Sequence, residues 1–501
     1  MPPPVPPSEQ VVPERRKRIV ILLICSMALL VVGLDATIVN VALPSIHRSL
    51  HSSLSGLQWT IDAYTLVLAS LLMLSGSMAD RLGRRRVFRW GLALFSLGSL
   101  LCALAPSLEM LIAARVVQAI GGSMLNPVAL SIIRNVFVDA RERAMAIGVW
   151  GAVFGVSMAL GPVLGGVLVQ ISSWRAVFLV NLPVGVIAIV LTALFVPESK
   201  AGRTRRIDPI GQLLVIVALA TLTYGIIDAP RAGWGSARTL ILFVCSVTCW
   251  VLLVLYELRR REPLVEIRFF RSVPFAGASV TAVGMFATIG GFLFLNTLYL
   301  QDARGLSPLH AGLYTLPIAG AMLVASPLSG RIVANRGTRL PLVIGSLALI
   351  ASALMLTTVT ASTSDLVLFA AYLLFGLGSG LVNPPITNTA VTGMPPSQAG
   401  VAAAVASTSR QIGATLGVAV LGALAGGDMI KQLGPSFATA THTSWWVVVG
   451  IGCVMLVGAF VTTTPWALQT ATNTAERLRE RDRLAVADGQ ATESEPASAV
   501  V

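Results

Sequence analysis

From residue 19 to residue 464 the chain alternates long apolar runs with short polar breaks. Fourteen runs stand out, at 19–44, 56–78, 87–105, 108–133, 143–169, 175–196, 209–228, 239–257, 273–300, 309–329, 340–359, 365–391, 400–425 and 444–464. About 20 apolar residues in a helix cross the hydrocarbon core of a bilayer. A helix also satisfies its backbone polar groups internally, which that medium demands. The pattern therefore predicts an all-α membrane protein with fourteen transmembrane helices.

Two motifs recur along the chain. The basic turn Ser75-Gly76-Ser77-Met78-Ala79-Asp80-Arg81-Leu82-Gly83-Arg84-Arg85-Arg86 lies between the second and third runs, and Ser329-Gly330, Gly337 and Arg339 repeat part of it 254 residues later. Gly121-Gly122-Ser123-Met124-Leu125-Asn126-Pro127 is echoed by Gly378-Ser379-Gly380-Leu381-Val382-Asn383-Pro384, 257 residues on. Two separate matches in nearly one register predict two related halves. The expected organisation is a tail at 1–18, a six-helix bundle at 19–198, an inserted helix pair at 199–262, a second six-helix bundle at 263–465 and a tail at 466–501. Internal repeats with a site between them are a general feature of secondary transporters.

Charge sharpens the topology. The chain is 55% hydrophobic and only 12% charged, with a net charge of +13, whereas soluble domains carry about 25% charged residues. A basic balance can mean nucleic-acid binding, but the distribution points elsewhere. Loops on the N-terminal side hold 28 Lys and Arg, and loops on the other side hold 6. This is the positive-inside bias, so both termini are expected in the cytoplasm and no nucleic-acid partner is expected. The Pro-rich first 14 residues read as disordered; the last 36 read as a surface helix or as disorder. Abundant Ala, Gly and Arg with three lysines suggest a GC-rich bacterial genome, hence a bacterial cytoplasmic membrane.

Several chemistries recede. Cys25, Cys102, Cys245, Cys249 and Cys453 all lie in apolar runs and read as small hydrophobes. His47 and His51 make a poor metal site by themselves, so no metal is expected. No Walker motif is present, and Gly376, Gly378 and Gly380 read as helix-packing residues. With no cofactor, pumping must draw on an ion gradient.

Ionisable groups within membrane runs are costly and mark function. Asp35 in the first run and Arg115 in the fourth are the leading candidates, with Asp62, near the end of the second run, as a further carboxylate that could equally be wet. Asn40, Gln118, Asn126, Asn296, Arg410 and Gln411 are candidate pocket residues beside Asp35. The fifth run carries Gly151, Gly155, Gly161, Pro162, Gly165 and Gly166, which permit close helix approach and a bend.

Together these motifs resemble the major facilitator superfamily, specifically its fourteen-helix drug:proton antiporter branch, over roughly residues 19–464. Gly76-x3-Asp80-Arg81-x-Gly83-Arg84-Arg85 resembles the family's loop between helices 2 and 3. Arg115 with Gln118-Ala119-Ile120-Gly121-Gly122 resembles its helix 4 motif, and the fifth-run glycines resemble its antiporter signature. Leu34-Asp35-x-Thr37-x2-Asn40-x-Ala42-Leu43-Pro44 resembles the helix 1 motif of the fourteen-helix branch. The resemblance implies two six-helix bundles plus two inserted helices. It makes Gly76, Asp80, Arg81, Gly83, Arg84 and Arg85 a conformational gate, with Asp80 bonding to other helices of its lobe in one state; the second copy has Ala334 at that position.

The expected function is a monomeric, proton-coupled antiporter that expels an amphiphilic drug or antibiotic by alternating access. Asp35 would alternate between protonated and drug-bound states, with Arg115 tuning or relaying. Uptake of a metabolite by proton symport, and a non-transporting sensor or scaffold, are the alternatives.

Overall fold

The computed structural model describes residues 14–200, 208–260, 263–392, 394, 398–426 and 436–493, which are helical throughout apart from connecting turns. Most of the expected N-terminal tail, part of the basic loop near 200–206, Lys431 and residues 494–501 lie outside the described residues. The helices are α1 (Arg15–Leu50), α2 (Leu54–Leu82), α3 (Arg84–Leu104), α4 (Leu108–Val136), α5 (Arg141–Ile171), α6 (Ala176–Phe195), α7 (Pro209–Ala232), α8 (Ala237–Arg259), α9 (Val273–Ala303), α10 (Pro308–Arg336), α11 (Arg339–Leu356), α12 (Asp365–Val391), α13 (Ala399–Ala425) and α14 (Phe437–Val461). Among the described residues thirteen are long and apolar enough to cross a membrane; α13 is the exception. It has the length, at 27 residues, but its first half is built of Ala, Ser and Thr around Arg410. The amphiphilic tail folds as α15 (Pro465–Glu493), burying Ala467, Ala471, Ala475 and Leu478, while Thr470 Oγ1 accepts from Val273 N at 3.0 Å.

Local chemistry fixes the helix ends. Ser53, Ser107, Asp139, Asp208, Ser236 and Ser272 each cap a helix N-terminus by accepting a backbone N–H, an interaction worth about 1 kcal/mol. Gly83 and Gly337 end α2 and α10 with φ of 110° and 78°. A side chain at either position would be strained. The repeated glycines of the two basic turns thus serve the same backbone function.

The two halves pack in the same order. In the first, α1 lies on α5, α2 on α4, α4 on α3 and α3 on α6; in the second, α9 lies on α13, α10 on α12, α12 on α11 and α11 on α14. Each contact recurs eight helices later. The halves meet along α2–α13, α5–α10 and α1–α9. Helices α7 and α8 form a hairpin, with α7 against α2 and α13. Gln212 of α7 donates to the carbonyl of Ser70 at 2.6 Å, whereas Ile241, Val244 and Val247 of α8 are exposed, an apolar face suited to lipid.

Candidate functional site

Asp35 and Arg115 come together in the core of the first half. Arg115 Nη1 donates to Asp35 Oδ2 at 2.6 Å and to Gln118 Oε1 at 2.7 Å, while its Nε donates to the carbonyl of Thr60 at 3.1 Å. Gln118 Nε2 donates to Asp35 Oδ1 at 2.7 Å and to Ser99 Oγ at 2.8 Å. Asn181 Nδ2 lies 3.3 Å from both Asp35 Oδ1 and Ser99 Oγ. The guanidinium stacks over the Tyr64 ring, 4.1 Å from its centroid. Five helices, α1, α2, α3, α4 and α6, therefore converge on one carboxylate, and Asp35, Arg115 and Gln118 are at most 1% exposed. Such a pair survives burial because both oxygens and the guanidinium are satisfied.

Asp62 is different. It is fully buried, so the wet alternative does not hold, and neither carboxylate oxygen has a hydrogen-bond partner among the described residues. Asn40 turns back onto its own helix, donating to the carbonyl of Ala36 at 3.2 Å. Asn296 accepts from Tyr372 Oη in the core of the second half.

A cavity of about 640 Å³ lies between the halves. It is walled by α2, α4 and α5 on one side and by α9, α12 and α13 on the other. Asn126-Pro127 and Asn383-Pro384, the repeated motif, face it from opposite halves, and Arg410, Gln411, Gly76, Asp80, Arg134 and Gly151 also line it. Asp35, Asn40, Gln118 and Asn296 do not. The expectation that Asp35 contacts the cargo is therefore revised for this conformation: both its oxygens are taken and it lies off the cavity wall.

The cavity reaches the end of the bundle that carries the basic turns. At the opposite end the halves are closed. Gln58 Nε2 donates to the carbonyls of Val418 and Ala419 at 3.1 and 3.0 Å. Gln301 Nε2 donates to the carbonyl of Val41 at 2.9 Å, and Thr415 Oγ1 bonds Thr65 Oγ1 at 2.8 Å nearer the middle.

At the basic turn, Asp80 accepts from Arg84 Nε and Nη2 at 3.3 and 3.0 Å. Arg84 opens α3, so this bond ties the end of α2 to the start of α3 across Gly83. The link from this turn to α6 is made instead by Glu198, which accepts from Arg85 N at 3.1 Å, and by Arg85 Nη2, which donates to the carbonyl of Ala193 at 2.7 Å. Arg18 pairs with Glu142, tying α1 to α5 at the same end.

The Major Facilitator Superfamily model matches residues 25–418. The chain belongs to that superfamily. It is therefore a multi-pass membrane transporter of small molecules. The chain is 39% identical over 414 residues to the multidrug resistance protein Stp of Mycobacterium tuberculosis, covering 83% of this chain and 77% of that one. It is 38% identical over 389 residues to the methylenomycin A resistance protein of Streptomyces coelicolor, covering 78% and 82%. It is 38% identical over 414 residues to the tetracenomycin C resistance and export protein of Streptomyces glaucescens, covering 82% and 76%. Among solved structures, a D-xylose–proton symporter superposes with a TM-score of 0.65 at 16% identity, covering 89% of this chain and 97% of that one, which speaks to the fold alone.

In this superfamily member the α5 glycine array divides into two parts. A Cβ at Gly151 or Gly155 would meet nothing within 4 Å. One at Gly161 would collide with Thr37 of α1, and one at Gly165 would lie 2.9 Å from Ile38 Cγ1. At Gly166 it would meet the backbone of Pro308 and Leu309 across the boundary between halves. From the other side, Gly312 of α10 packs on the carbonyl of Pro162. Helix approach at the closed end thus depends on having no side chain there. Ser99, Asn181, Thr60 and Tyr64 complete the Asp35 network without having been singled out from sequence. The usable signal for Ser99 and Asn181 was a small polar residue inside an apolar run; a backbone carbonyl, as at Thr60, leaves no such mark.

Proposed function

We propose that this chain is a proton-coupled antiporter that exports amphiphilic drugs or antibiotics from the cytoplasm, in the fourteen-helix branch of its superfamily. The observation that carries the coupling is the Asp35–Arg115 salt bridge, held in the membrane core by four further hydrogen bonds with Thr60, Gln118 and Asn181. The export reading is supported by relatives named for drug resistance and export. On this reading α13 is a membrane helix like the others, both termini are cytoplasmic, and the cavity opens inward. The lobes 19–198 and 263–465 rock as a monomer about the glycine-lined contacts of α5 and α10, with the proton gradient as the energy source.

Proton uptake by Asp35 would release Arg115 and loosen a junction of five helices. That links protonation to lobe movement without direct contact between cargo and carboxylate. An ionised Asp62 without a partner would cost several kcal/mol, so the reading assigns it a proton in this state and makes it a second carrier. Each inward proton releases about 2.3 kcal/mol per 100 mV of membrane potential, enough to drive a concentration gradient of nearly two decades.

The test uses everted vesicles from an efflux-deficient host, energised to acidify their lumen. Addition of a transported aromatic antibiotic should partly collapse the pH gradient. Asp35→Asn should abolish that response, and Asp62→Asn should weaken it. Undiminished proton flux in Asp35→Asn would remove Asp35 from the coupling path. Antibiotic-dependent movement of compound out of the everted lumen would reverse the direction.

A further inference from the structure

The central cavity has an uneven charge balance. Its two aspartates both have arginine partners: Arg84 lies 3.0 Å from Asp80, and Arg260 lies 3.5 Å from Asp208. Its two arginines, Arg134 and Arg410, form no ion pair among the described residues. Arg134 is exposed at the basic end, where water can solvate it. Arg410 stands near the middle of α13, well away from the helix ends.

Arg410 donates to Thr387 Oγ1 and lies 5.8 Å from the centroid of the Phe286 ring. A guanidinium offers five N–H donors, so Thr387 and one aromatic face leave most of them uncommitted among the described residues. Gln411, Asn126 and Asn383 provide neutral polar groups nearby, while Leu72, Met73 and Phe286 provide apolar wall. A guanidinium fork matches a carboxylate in two parallel hydrogen bonds. In a partly desolvated site it also repels a cation.

We propose that the cavity takes amphiphiles bearing an anionic group, a carboxylate or an acidic phenolate, with Arg410 as the counter-ion. This rests on the transport reading above and narrows its cargo. It also has an energetic consequence. An anion leaving the cell while a proton enters moves two charges in the same electrical sense, so the membrane potential drives both legs of the exchange. A cationic cargo would cancel that contribution.

The experiment uses the full-length protein in nanodiscs of phosphatidylcholine alone, so that no anionic lipid competes, and no gradient is imposed. Three radiolabelled probes share one ring and differ in charge: 2-naphthoate, 2-naphthamide and 2-naphthylmethylammonium. Naphthoate should bind at least tenfold more tightly than the ammonium. Arg410→Gln should lower naphthoate affinity about tenfold, Arg410→Lys should lower it less, and Arg336→Gln, an exposed arginine off the cavity wall, should change it under threefold. Melting curves of Arg410→Lys and Arg410→Gln establish that both fold. Adding phosphatidylglycerol to the discs should weaken naphthoate binding if a lipid phosphate can reach Arg410, and leave it unchanged if only free acids do. Equal affinity for the three probes, tighter binding of the ammonium, no saturable binding, or unchanged naphthoate affinity in Arg410→Gln would overturn the proposal. None of these results touches the export reading, which depends on gradient-driven flux and on Asp35.

Discussion

The two halves share a packing order, yet their cores hold opposite chemistry at equivalent places. In α4, Arg115 reaches across to Asp35 of α1. The residue 257 positions after Arg115 is Tyr372 of α12, and it reaches across to Asn296 of α9. The residue 257 positions after Asp35 is Phe292, which stacks on Phe375 at 4.2 Å and meets Tyr372 edge-on at 5.5 Å. One half therefore holds a charged junction, which on the proposed reading a proton breaks. The other holds a neutral aromatic plug with nothing in its place to titrate. Equal architecture does not require equal work: on the proposed reading only the first half is switched, and the second serves as its counterpart.

The largest break in this comparison is Arg115→Ala. It strands a buried carboxylate and should destabilise the protein by about 3–5 kcal/mol, read as a lowered unfolding midpoint in detergent. Adding Asp35→Asn to that variant should restore part of the loss, because the stranded charge is gone. Neither variant should sustain gradient-driven transport. Next in size is Gly166→Ala, which pushes a methyl group into the backbone of Pro308 and Leu309. Overpacking of this kind costs about 1–3 kcal/mol and should appear as reduced thermal stability together with a cavity end that no longer seals. Tyr372→Phe removes one neutral hydrogen bond and should cost about 1 kcal/mol, with transport retained. If Tyr372→Phe abolished proton-coupled flux while remaining folded, the second half would not be a passive counterpart. The smallest effect belongs to Gly155→Ala, where the new methyl group meets open space; its midpoint should stay within about 0.5 kcal/mol of the parent.

Much of the fold was legible because membrane helices announce themselves by length and apolarity. Helix α13 is the instructive exception. Its polar first half faces the cavity through Ser407, Arg410 and Gln411, so its composition falls short of the other helices where it lines that space. Asp35 and Arg115 were legible singly, since a charge in an apolar run is expensive. Their pairing was not, because it depends on how α1 and α4 are rotated about their axes. The glycine array shows the same limit. Gly151 and Gly161 look alike in sequence, and only the path of α1 past α5 separates the open position from the tight one. The partner of Asp80 in this conformation was likewise not legible: Arg84, at the start of α3, takes the carboxylate, and Glu198 of the following connection makes the bridge to α6.

The cavity wall carries a consequence for adaptation to new compounds. The Asp35–Arg115 junction is confined to α1, α2, α3, α4 and α6, whereas Thr387, Ser407, Arg410 and Gln411 stand on α12 and α13, helices with no member in it. On the proposed reading, changes of cargo preference can accumulate on those two helices without disturbing the coupling junction. Selection for resistance to an unfamiliar antibiotic should therefore enrich variants on the second half of the cavity first.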